Sequence, residues 1–107
     1  MFLIKKDIAI THEMIGNIFI KELENIGFKL FYNDLYDYYS TIDFRKGGYK
    51  YNIMLVPQVD YIECTFSCYK NIFFVIFKRY NKQKESSFSE TCRKILLDNG
   101  IIEEISN

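Results

Sequence analysis

The chain has 107 residues, 49% hydrophobic and 26% charged, a composition that fits one folded domain and excludes fibrous repeats and long disorder. Fourteen basic side chains balance fourteen acidic ones, so no net field draws the protein to nucleic acid or to a membrane surface. No apolar run reaches the roughly 18 residues a membrane span needs, and Asp7 interrupts the apolar start too early for a secretory signal.

The first predicted element is an amphipathic helix from Asp7 to Asn25. Ile8, Ile15, Ile18, Phe19, Leu23 and Ile26 recur at spacings of three and four. Asp7 or Thr11 offers the oxygen that caps its first amides, and Gly27 is placed to end it. From Phe28 the period drops to two. Phe28–Tyr32 reads as a short strand and Asn33-Asp34 as a turn. Tyr38, Ser40, Ile42 and Phe44 then alternate with Tyr39, Thr41, Asp43 and Arg45. Lys46-Gly47-Gly48 is a hairpin signal, because tight turns need positive φ. Tyr49, Tyr51, Ile53 and Leu55 form the next alternating set, closed by Pro57, which has no amide to donate.

Ile62, Cys64, Phe66 and Cys68 alternate with Tyr61, Glu63, Thr65 and Ser67. Lys70-Asn71 reads as a turn into Ile72–Phe77, which is apolar on both faces and therefore predicted to be the most buried strand. Lys78–Lys84 reads as a basic connection. Ser87 and Glu90 fit a capping box that starts a second helix through Cys92, Ile95 and Leu96, and Gly100 stops it. Ile101–Ile105 is a short apolar tail, placed to dock on the helix or to add an edge strand.

Helix, antiparallel meander, helix in that order predicts a two-layer α+β sandwich spanning residues 1–107 as one domain. About five antiparallel strands make the sheet, both helices hide their apolar stripes on one of its faces, and the other face stays open.

Motifs for chemistry are sparse. Cys64 and Cys68 share one strand face but sit about 13 Å apart, too far for a disulfide. Three cysteines without a secretory signal point to reduced thiols in the cytoplasm. His12 is the sole histidine and lacks companions at zinc-ligand spacing; between Ile8 and Ile15 it reads as a core-edge residue. Asp34, Asp37 and Asp43 form no pattern that marks an acid pair or a magnesium site. No catalytic residue, metal or cofactor is expected.

Charge is segregated along the chain. Residues 1–44 carry a net −3, residues 45–84 a net +6 and residues 85–107 a net −3, a distribution suited to steering a complementary partner. Tyr39, Tyr61 and Tyr69 fall in register with polar neighbours and should project from the open face, with Tyr36 near a strand end. Tyrosine suits docking because it buries a rigid area and keeps a polar handle. The candidate partner-binding residues are therefore Asp34, Tyr36, Asp37, Tyr39, Asp43, Tyr61, Glu63 and Tyr69. The competing reading is a sheet platform for single-stranded nucleic acid, against which zero net charge and the acids Asp43 and Glu63 weigh. Monomer and homodimer both remain open, since an exposed edge strand can pair two copies.

In size, in helix–sheet–helix order and in its wealth of Ile, Lys, Asn, Tyr and Phe, the chain resembles bacterial immunity proteins, including those of contact-dependent growth inhibition. The resemblance implies a cytoplasmic, stoichiometric antitoxin that covers the active site of one cognate toxin, often a nuclease. Phage-encoded inhibitors of host defence proteins share this format.

Overall fold

The computed structural model of the protein describes residues 2–5, 10–36, 38–72 and 77–102. Its elements are β1 (Phe2–Lys5), α1 (His12–Asn25), β2 (Lys29–Leu35), β3 (Ser40–Lys46), β4 (Tyr49–Pro57), β5 (Tyr61–Ile72), β6 (Phe77–Tyr80) and α2 (Lys82–Asp98). All strands pair antiparallel in one sheet of order β1-β5-β4-β3-β2, with β6 also on β5. The predicted α+β class is what is found, with six strands in place of about five. β5 is long enough, at 12 residues, to carry two short strands on one edge: β1 beside Tyr61–Cys64 and β6 beside Tyr69–Ile72.

Local chemistry explains where the elements begin and end. Thr11, not Asp7, caps α1: its hydroxyl oxygen accepts the Met14 amide at 3.1 Å. Gly27 at φ +98 reverses the chain, and the Phe28 amide returns to the Leu23 carbonyl at 3.0 Å. Gly47 and Gly48, at φ +61 and +81, form the two-residue loop that joins Lys46 to its partner Tyr49, the turn whose twist matches that of the flanking strands.

Several boundaries differ from expectation. Asn33 and Asp34 are strand residues of β2, opposite Ile42 and Thr41, because the turn into β3 comes later. Tyr38 stands in that connection, 75% exposed, rather than in line with Ser40. Lys70-Asn71 is not a turn: both residues continue β5 opposite Arg79 and Lys78. Ile72 therefore ends one strand and Phe77 begins the next, and residues 73–76 lie outside the described residues. The Lys78–Lys84 segment is β6 followed directly by α2. Ser87 is inside α2, whose cap is Asn81: its side-chain oxygen accepts the Lys84 amide at 3.0 Å. The Asn81 amide also donates to the Cys68 carbonyl at 2.9 Å, so one residue closes the β5 edge and opens the helix. Of the C-terminal tail, Ile101 and Ile102 pack against the core, while residues 103–107 lie outside the described residues.

Both helices cover one face of the sheet. Ile15, Phe19 and Leu23 of α1 and Phe88, Cys92, Ile95 and Leu96 of α2 meet Ile42, Phe44, Ile53, Leu55, Ile62, Cys64 and Phe66 from the strands. Phe88 is the centre of an aromatic cluster, with ring centroids 4.8 Å from Tyr51, 5.3 Å from Phe28 and 5.9 Å from Phe66.

Candidate functional site

Because strand side chains alternate between faces, burying the even-numbered positions of β3 and β5 and the odd-numbered ones of β4 sends the others to the face without helices. The strand register arranges them in rows. At one end lie Val56, Glu63 and Leu3; next come Asp34, Thr41, Met54 and Thr65; then Tyr32, Asp43, Asn52 and Ser67; and at the hairpin end Arg45, Lys50, Tyr69 and Tyr80. Six large apolar or aromatic residues of this face, Leu3, Phe31, Tyr32, Met54, Tyr61 and Tyr80, are each 36–59% exposed.

The expected residues fall as follows. Tyr61, Glu63, Tyr69 and Asp43 are on the open face, and Tyr39 precedes β3 in the same alternation. Asp34 joins them opposite Thr41. Tyr36 is exposed beside the sheet, its ring 4.7 Å from that of Tyr39. Asp37 lies outside the described residues. The reading of alternation missed Phe31, Tyr32, Met54, Leu3, Arg45 and Lys50 as members of one surface. A bulge between Leu30 and Tyr32 explains part of this. One extra residue in β2 brings both Phe31 and Tyr32 to the open side, and the unbroken aromatic pair was the only trace of it in the sequence.

The acidic end is held in place by tyrosine. The Tyr32 hydroxyl donates to the Asp34 carboxylate at 2.5 Å, and hydrogen bonding from Tyr32 first and Tyr36 second keeps the Asp34 carboxyl below its usual range. The same bonds to Asp34 raise both tyrosines above theirs. In the next row the Asn52 amide donates to Asp43 at 2.7 Å and to Thr41 at 3.0 Å.

The hairpin end is basic. Arg45 lies over the Phe31 ring at 3.7 Å and Lys50 at 5.1 Å. A cavity of about 420 Å³ around the turn is lined by Lys29, Arg45, Lys46, Gly47, Gly48, Tyr49 and Lys50. On the helix side, Lys46 donates to the Ile26 carbonyl at 3.1 Å, a cation at the negative end of α1, and sits over the Phe28 ring at 4.6 Å.

His12 is buried at the start of α1, its Nδ1 2.6 Å from the Ser40 hydroxyl. Ser40 has no exposed surface, so this Ser–His pair joins α1 to β3 and offers no nucleophile to a substrate. The three cysteines are buried thiols. Burial pushes Cys64 up to about 12 and raises Cys92 and Cys68 as well, which leaves them protonated and poorly nucleophilic at neutral pH. Among the described residues, no three His, Cys, Asp or Glu side chains gather as a metal set, and no helix is long and apolar enough to cross a membrane.

Comparison with protein-family models, with curated proteins and with solved structures returned no match.

Proposed function

We propose that this protein is a non-catalytic inhibitor that lays the open face of its sheet across one partner protein, in the manner of a cytoplasmic immunity protein covering a toxin. The support is a single feature: one face of the sheet carries two helices and the other carries a concentration of exposed aromatic and apolar side chains among ordered charges. Five strands abreast at about 4.8 Å, over the roughly 30 Å length of β4, make a platform of about 700 Å². A standard interface takes about 800 Å² from each partner.

Roles follow from position. Tyr39, Tyr61 and Tyr69 are the aromatic anchors, with Met54 among them as an adaptable apolar contact. Asp34, Asp43 and Glu63 meet a basic surface; on a nuclease these carboxylates would occupy the place of substrate phosphates. Asp34 suits that role because its two tyrosine donors fix its position before binding.

The test uses two baits from the native cell extract, wild type and a Tyr61→Ala/Asp43→Asn variant. A protein retained by the first bait and lost from the second is identified, purified and assayed. It is expected to form a 1:1 complex and to lose its own activity in that complex. Asp34→Asn/Asp43→Asn should slow association about tenfold or more at low salt. A partner held equally by both baits, or a complex in which the partner stays fully active, refutes the proposal.

A further inference from the structure

We propose that the basic end of the open face is a binding strip for single-stranded nucleic acid, built on the cross-strand row Phe31–Arg45–Lys50–Tyr69–Tyr80. The register makes this row continuous: Arg45 is opposite Lys50, Lys50 opposite Tyr69, and Tyr69 opposite Tyr80. The β2 bulge adds Phe31 beneath Arg45 at 3.7 Å. Five strands at about 4.8 Å spacing give the row a span of about 19 Å. Two cations stand at its centre and aromatic rings at both ends, the combination that holds phosphates while unpaired bases stack.

One further cation backs the row: Lys29 is opposite Arg45, and with Arg45 and Lys50 it lines the cavity of about 420 Å³ at the turn, whose lining holds no acidic residue. The rings differ in how they are used. Phe31 already lies under Arg45 and Lys50, which fixes those two cations in place. Tyr80 is 59% exposed and its ring is 5.9 Å from Tyr69, the two planes tilted by 58°, which leaves the Tyr80 ring open to a base. A duplex buries its base faces, so stacking on an exposed ring selects unpaired strands.

Overall neutrality and the acids on this face count for less than the sequence suggests. Asp34 sits opposite Thr41, four residues from Arg45 and thus about 13 Å along the strand. Glu63 is opposite Val56, six residues from Lys50 and about 20 Å away. Both separations exceed the screening length of about 8 Å at physiological ionic strength. Asp43 is closer, two residues from Arg45 on β3, and its carboxylate is engaged by the Asn52 amide. The strip does not rest on the inhibitor proposal: Tyr69 belongs to both, but Phe31, Arg45, Lys50 and Tyr80 have no role in that proposal, whose carboxylates lie toward the other end of the face.

Fluorescence anisotropy with a labelled oligouridylate tests it on the full chain, with heparin as a polyanion that has no bases. Binding is expected to weaken steeply between about 50 and 200 mM salt, and Arg45→Gln/Lys50→Gln should reduce the log–log salt slope by about 1.4. Tyr80→Ala should weaken oligouridylate binding about fivefold or more and leave heparin binding unchanged. All three substituted side chains are wholly or partly exposed, and circular dichroism checks that each variant is folded. No binding at low salt overturns the proposal, as does a salt slope indifferent to the Arg45/Lys50 change. Equal losses of heparin and oligouridylate in Tyr80→Ala also overturn it, as does a row that proves necessary only for the protein partner.

Discussion

Phe88 is the position where the architecture can be tested most directly. It is 2% exposed and lies against Phe28, Tyr51 and Phe66, so it is the main anchor of α2 on the sheet. Phe→Ala in a core costs about 3–5 kcal/mol, and edge and tilted ring contacts add to the simple area term, which places Phe88→Ala at about 4 kcal/mol or above. A domain of this size has about 5–15 kcal/mol in total. The variant should therefore melt at least about 15 °C lower, with a urea midpoint shifted in proportion and an unchanged slope. Phe31→Ala is the control. That ring is 50% exposed on the open face, and its loss should cost about 1 kcal/mol or less, mostly cation–π contact. If Phe31→Ala destabilises as much as Phe88→Ala, or if Phe88→Ala costs under about 1.5 kcal/mol, the assignment of the two faces is wrong.

Two further outcomes follow from buried polar and ionisable groups. In the unfolded chain thiols lose their protons from about pH 8.5, whereas native Cys64 holds its proton up to about 12 and native Cys92 is raised too. The unfolded state then binds fewer protons, so stability is full below about pH 8.5 and declines as pH rises toward 12. Tyr51, also pushed up to about 12 by burial, adds to the decline above about pH 10. Urea midpoints at neutral and alkaline pH check this, and a flat profile would refute it. Ser40→Ala deletes the 2.6 Å bond to His12 between two buried groups and should cost about 1–3 kcal/mol. Binding by the open face should be untouched, and a loss of partner affinity without a loss of stability would contradict the structural role of this pair.

Much of the sheet was legible because alternation is a local property. Ile42 and Phe44 in β3, Tyr51, Ile53 and Leu55 in β4, and Ile62, Cys64, Phe66 and Cys68 in β5 alternate with residues of the other face, and those are buried positions. Tyr61, Glu63, Tyr69 and Asp43 were assigned to the open face by the same parity. Gly27, Gly47, Gly48 and Gly100 marked reversals that all need positive φ. The capping chemistry was less decisive. Ser87 and Glu90 satisfy the capping pattern, yet Asn81 captures the helix start because its amide is already fixed to the β5 edge, a contact that local pattern does not reveal.

What the amino-acid order settled alone was periodicity: two helical stripes, a run of alternating strands, and the sorting of residues between faces. It could not announce that Phe2–Lys5 is a strand, since four residues hold too little pattern and acquire their meaning from Tyr61–Cys64, nearly sixty positions away. Nor could it show that an extra residue in β2 turns Phe31 toward Arg45, or that opposite charges would collect at opposite ends of one surface. Those features depend on strand register, and register is chosen by the packing of the whole sheet against its two helices rather than by any stretch of neighbouring residues.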